Sequence, residues 1–147
     1  MLATDDVLAI QALLARYAHF VDRREGDRMG EVLTADAVKE SVATEEVAAA
    51  WLAAGRSPEV LNSRQEGLTE LQAWFSRSDF HPPGHNVHTI LVYEEDGEVW
   101  ADSKWLIVDP PTGRVSTGDY EDVAVRTGAG WRISRPRTTA RYLVPPP

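Results

Sequence analysis

The hydrophobic pattern changes period at Pro82-Pro83-Gly84, and that change limits what the chain can fold into. Before it, apolar residues recur at helical spacing. After it, they alternate as in half-buried strands. Helices followed by a run of strands predict an α+β fold, with the helices laid over one face of an antiparallel sheet. A strongly curved sheet covered in this way encloses a pocket. The 147 residues suffice for a core of their own, and residues 1–147 are read as one domain.

The local signals follow that division. Thr4 is placed to cap a first helix with Asp5 and Asp6 in its first turn. Val7, Ile10, Leu14, Tyr17 and Val21 form its apolar stripe, and Gly26 is expected to end it. Asp27 opens a short helix containing Met29, Val32 and Leu33; residues 36–42 read as a short strand. Thr44 caps a helix over 45–54 that Gly55 closes, 58–62 is ambiguous, and 66–77 reads as a third main helix with Leu68, Leu71, Trp74 and Phe75 inward. Four strands are then predicted, over 85–94, 98–108, 114–126 and 131–142. The Asp96-Gly97 pair, the turn over 110–113 and the turn over 127–130 join them into a meander.

Composition excludes several functions. There are 15 basic and 23 acidic residues, a net charge of -8, and a nucleic-acid partner needs the opposite balance. Without cysteine there is no disulfide, thiolate nucleophile or Cys-based zinc site. This accords with a reducing cytoplasm, the expected location. No leader pattern and no apolar run of membrane-spanning length is seen, so no membrane association is expected. The chain carries no phosphate-binding glycine loop, dinucleotide fingerprint or nucleophile elbow, and no organic cofactor is expected.

The candidate chemistry is acid–base. Asp22 falls at the shoulder of the apolar face of the first helix, beside Ala18. It is either a solvated helix-end carboxylate or an acid/base group that orients a histidine. His85 is the candidate histidine, because an imidazole suits proton transfer near neutral pH. Strand alternation puts His85, Val87 and Thr89 on one face and His88 and Ile90 on the other. His81 and His19 are weaker candidates, and His19 is expected to be exposed. His81, His85 and His88 are close in sequence, but the Pro-Pro-Gly turn and the strand alternation separate them, so no metal site is expected. Tyr120 shares a face with Asp122 and Ala124, and offers a hydroxyl to the pocket if that face is concave. Five tryptophans are many for this length, and Trp100 and Trp105 must point to opposite faces of their strand. The arginines at 126, 132, 135, 137 and 141 read as a solvated basic face paired with the acidic excess.

Arg16-Tyr17-Ala18 with Asp22, Gly26-Asp27, Leu33 and Asp36-Ala37-Val38 resembles the opening of SnoaL-like proteins of the nuclear transport factor 2-like superfamily. Gly84-His85, the Asp-Gly turn, Gly118-x-Tyr120-x-Asp122 and Val125-Arg126 before Gly130-Trp131-Arg132-Ile133 continue the resemblance in order. It implies a cone-shaped, curved antiparallel sheet with about three N-terminal helices enclosing a pocket. The motif spacing is most similar to scytalone dehydratase, in which a helix Asp and a strand His match Asp22 and His85. That family's second catalytic histidine is absent, and its two pocket tyrosines are replaced by Val21 and by the segment Val38-Lys39-Glu40-Ser41; Asp102 or Ser103 could supply another polar group.

The resemblance implies a cofactor-free lyase, isomerase or cyclase acting on an apolar oxygenated small molecule, such as a polyketide- or terpenoid-derived ketone. Asp22, His85 and Tyr120 are the expected catalytic residues, and Tyr17, Trp74, His88 and Trp105 are expected to contact substrate. A homodimer through the outer sheet face is expected. The alternatives are a non-catalytic binding or dimerisation module, and an accessory beta subunit of a ring-hydroxylating dioxygenase.

Overall fold

The computed structural model describes residues 1–77, 84–109 and 113–143. Helix α1 spans Thr4–Arg23 and buries Ile10, Leu13, Leu14, Tyr17, Phe20 and Val21 along one stripe. Its N-cap is Ala3, without a side-chain bond, so Thr4 is not the cap. Asp6 anchors this end to the sheet, accepting Trp131 Nε1 at 3.0 Å and pairing with Arg126. At the other end the chain leaves the helix at Arg24, in the left-handed region with φ 57°, before reaching Gly26. Gly26 serves packing: a Cβ there would come within 2.2 Å of Ser76 Oγ and 2.3 Å of the Gln72 carbonyl oxygen. The 3-10 segment Gly26–Glu31 can therefore lie directly on helix α3, Leu68–Ser76.

Helix α2, Glu45–Ala53, is capped by Thr44, whose hydroxyl accepts the Val47 N–H at 3.4 Å. The strands are β1 Val38–Ala43, β2 Ser63–Glu66, β3 Asn86–Glu95, β4 Glu98–Asp109, β5 Arg114–Thr127, β6 Gly130–Arg135 and β7 Arg137–Tyr142. They form one seven-stranded sheet in the order β2-β1-β7-β5-β4-β3, with β6 also paired to β5. The expected four-strand meander is thus part of a larger curved sheet. The predicted strand over 131–142 is two strands divided at Pro136, which has no N–H for the ladder. Beyond the break, β7 pairs with β5 on one side and runs parallel to β1 on the other.

Asp96 and Gly97 both have positive φ, 51° and 79°, in the β3–β4 hairpin, as its two-residue turn requires. The core lies between α1, α3 and the concave sheet face, where Phe75, Leu71, Met29 and Leu33 meet Ala101, Ala124 and Ile133. Among the described residues no helix is long and apolar enough to cross a membrane.

Candidate active site

Cross-strand register sets which side chains face the helices. Trp105, Ser103 and Ala101 of β4 lie opposite Gly118, Tyr120 and Asp122 of β5. Tyr120 and Gly118 lie opposite Thr138 and Ala140 of β7, and Thr138 lies opposite Ser41 of β1. Lys39 and Ser41 are matched in β2 by Gln65 and Ser63. This one concave row runs from β4 to β2. The alternate residues form the convex face, where Lys104 and Arg141 hold Asp119 and Tyr93 donates to Asp102 at 3.1 Å. Asp102 is therefore on the outside and Ser103 on the inside.

The last turn of α1 brings Asp22 to the start of β3. His85 Nδ1 is 2.5 Å from Asp22 Oδ1, and the His85 backbone N–H donates to both carboxylate oxygens, at 3.2 and 3.1 Å. A carboxylate only accepts, so Nδ1 carries the proton and Nε2 is the acceptor nitrogen of the neutral ring. Gly84, at φ 91°, lets the backbone turn into this arrangement. The His85 side chain is 8% exposed and that of Asp22 22%, so the bond is shielded while the carboxylate keeps some contact with water.

The aromatic wall is built next to this couple. The ring of Tyr17 stands edge-on to Phe75 at 5.4 Å and to Tyr120 at 6.3 Å, and Trp105 lies 6.3 Å from Tyr120. Gly118 makes room for the Trp105 indole: a Cβ would fall 2.4 Å from its Cζ2 and 2.1 Å from the Thr139 carbonyl oxygen. Burial pushes the Tyr17 phenol well up, helped by Tyr120 and Asp122. Burial also raises the Tyr120 phenol, with the charges of Asp122 and Asp22 adding to it. Both hydroxyls stay protonated and able to donate.

The rest of the row is polar and buried. Lys39 is 5% exposed, Gln65 5%, Ser103 2% and Asp122 3%. Asp122 accepts the Arg137 N–H at 3.2 Å, and burial lifts its carboxyl to about 8 against the downward pull of that bond and of Lys39. Burial lowers the Lys39 ammonium to about 8, with Asp122 opposing the shift. Among the described residues, Ser63 Oγ, Gln65 Oε1, Ser103 Oγ and Trp105 Nε1 are buried without a hydrogen-bond partner. Buried polar atoms are rarely left unpaired, so four on one concave surface set this face apart from an ordinary core.

Asp22 is brought to His85, Tyr17, Tyr120 and Trp105 form one aromatic cluster within reach of the Asp22 charge, and Trp74 is partly buried over the Lys39 end of the row. His88 is not: it is exposed, with Nδ1 2.8 Å from Thr89 Oγ1, and the expectation that it contacts substrate is not met. The cause is local. Between His88 and Leu91 the pairing with β4 slips, and Thr89 takes φ 54°. This bulge moves Ile90 and Val92 onto the core side while His88 stays outside. His81 lies outside the described residues, and His19 is exposed as expected. Sequence reading passed over Lys39, Gln65 and the burial of Asp122. Lys39 sits in a segment that alternates weakly, Val38-Lys39-Glu40-Ser41, where both faces look polar.

Comparison with known proteins agrees with this architecture. The family model described as a SnoaL-like domain matches residues 3–137. No curated protein matches the chain. A protein of unknown function with a cystatin-like fold from Nostoc punctiforme superposes with a TM-score of 0.74 at 15% identity, covering 98% of this chain and 97% of the other. A provisionally assigned scytalone dehydratase from Novosphingobium aromaticivorans gives 0.65 at 15% identity, over 97% of each chain. The beta subunit of a provisionally assigned aromatic-ring-hydroxylating dioxygenase from the same organism gives 0.65 at 16% identity, over 92% of this chain and 88% of the other. At such identities these likenesses establish the fold. With the family match over 3–137, they identify the chain as a member of the SnoaL-like domain family, within the nuclear transport factor 2-like superfamily.

Proposed function

We propose that the protein is a lyase, isomerase or cyclase that moves a proton beside a carbonyl of an oxygenated small molecule, using Asp22 and His85 and no organic cofactor. The observation that carries this reading is the 2.5 Å contact between His85 Nδ1 and Asp22 Oδ1 beside the concave aromatic wall. In the proposed step His85 Nε2 takes the α-proton of a ketone. Asp22 stabilises the imidazolium that forms. The electron pair moves onto the carbonyl oxygen, and the Tyr120 hydroxyl donates to the resulting enolate. Return of the proton to another carbon gives an isomerase. Its delivery to a β-hydroxyl, which leaves as water, gives a dehydratase.

The test is deuterium incorporation at the α-carbon of a panel of enolisable aryl ketones in heavy water, followed by proton NMR. The wild-type protein should accelerate exchange for at least one member, and His85→Ala should lower that rate by roughly 100-fold or more. No acceleration by the wild type, or an unchanged rate in His85→Ala, would contradict the proposal.

A second reading is a non-catalytic binding module, in which Asp22 only fastens the start of β3. It is favoured by the two bonds from the His85 backbone N–H to the same carboxylate. It predicts ligand binding without exchange. The likeness to a dioxygenase beta subunit supports an accessory role less directly, and copurification with an iron-containing alpha subunit would be its sign. A homodimer through the convex sheet face is part of the proposal; Val108 and Val115, paired across β4 and β5, are exposed there.

A further inference from the structure

We infer that the concave face has a second pole, built around the Lys39 amine, that binds the carboxylate of a hydroxylated aromatic substrate. The inference rests on reading this face as the substrate site, and it names the substrate class. Lys39 is buried on β1, donates to Ser41 Oγ and lies 5.8 Å from the centre of the Trp74 ring. It makes no ion pair among the described residues. An ammonium has three N–H donors, and Ser41 takes one. A buried cation without a paired anion is costly, and an anionic ligand relieves that cost.

The neighbours fit the same ligand. Gln65 stands opposite Lys39 and Ser63 opposite Ser41, and their Oε1 and Oγ atoms lack partners among the described residues. A carboxylate accepts from Lys39 and from a serine hydroxyl, and a hydroxyl beside it on the ring donates to Gln65 Oε1. The titratable groups facing Lys39 do not cancel its charge near neutral pH. Asp122, lifted to about 8 by burial, is largely protonated there, and the Tyr17 and Tyr120 phenols are neutral. The Trp74 ring over the amine supplies a flat surface for an aromatic ring next to the carboxylate.

Calorimetric titration of the full chain at pH 7 with 3-hydroxy-2-naphthoate and its neutral carboxamide tests this. The wild type should bind the carboxylate at least about ten-fold more tightly than the amide. Lys39→Met should erase that preference, and Gln65→Leu should weaken 3-hydroxy-2-naphthoate but leave 2-naphthoate unchanged. Equal affinities in the wild type, binding of neither probe, or a preference that survives in Lys39→Met would overturn the inference. If Lys39→Met fails to fold by circular dichroism, Gln65→Leu decides, and an unchanged affinity for the hydroxylated probe overturns it. Running the exchange assay and the titration on the same wild-type protein separates the two readings. Carboxylate preference without proton exchange in the wild type means the dyad proposal fails alone, and exchange without preference means the Lys39 pole fails alone.

Discussion

At the residue scale two couples organise the concave face, and they differ in kind. Asp22 and His85 make a short charge-assisted bond, with the carboxylate also bound to backbone N–H. Asp22→Ala removes both, and should cost about 1–3 kcal/mol by denaturant titration as well as abolishing exchange. Asp22→Asn can still accept the backbone N–H, so it should keep most of the stability and lose the proton chemistry. Asp122 and Lys39 are instead both buried on this face and feel each other's charge, and their titrations make stability depend on pH. Asp122 is raised to about 8, so the folded chain holds a proton that the unfolded chain has lost, and stability falls as pH rises from about 4 to about 8. Lys39 is lowered to about 8, so from there to about 10.5 the unfolded chain binds more proton and stability recovers. Thermal melts should show a minimum in Tm near pH 8. Asp122→Asn should flatten the acid side of that minimum and Lys39→Met the alkaline side; a flat wild-type profile would refute this account.

Residue-level legibility was uneven for a physical reason. Asp22 and His85 carry ordering signals that survive in one dimension: a carboxylate on the shoulder of an apolar helix stripe, and a histidine after a Gly that starts a strand. Lys39 and Gln65 carry none, since a lysine or glutamine in a short polar strand reads as solvated until the covering helix is known. Alternation from His85 already turns His88 outward; what it does not show is the bulge at Thr89, which returns Ile90 to the core side.

At the scale of elements, two glycines set how closely neighbours approach. Gly118→Ala would drive a methyl into the Thr139 carbonyl and the Trp105 ring, distorting the β5–β7 ladder and the aromatic wall together. It should destabilise by about 1–3 kcal/mol or more, and alter the fluorescence of Trp105. Gly26→Ala would separate the 3-10 segment from α3, with a similar loss of Tm, and would shift Trp74 away from Lys39. Helix and hairpin identities were readable from periodicity and from Asp96-Gly97. The strand read over 36–42 is β1, but its place in the sheet and the existence of β2 were not readable. β2 is four residues long, and β1 becomes a sheet member only by pairing parallel with β7, a long-range contact without a local signature.

At the scale of the whole molecule, the sheet separates two chemistries. Its convex face carries ion pairs such as Arg135–Glu98 and the Lys104–Asp119–Arg141 group, the pairing of basic and acidic residues expected from the composition. Val115→Glu on that face should convert the proposed dimer to a monomer in sedimentation experiments while leaving the proposed exchange intact. The concave side carries the Asp22–His85 pair, the aromatic wall and the buried Lys39. The family fold supplies the enclosure, and the side chains within it decide the chemistry.

The central claim, that the His85 imidazole transfers the proton, is tested most directly by chemical rescue. The rate of α-deuterium incorporation into a ketone exchanged by the wild type is measured in His85→Ala with and without added imidazole. The predicted result is a rate that rises with imidazole concentration in His85→Ala and not in Asp22→Asn/His85→Ala. A His85→Ala rate equal to the wild type, or one indifferent to imidazole, would contradict the account.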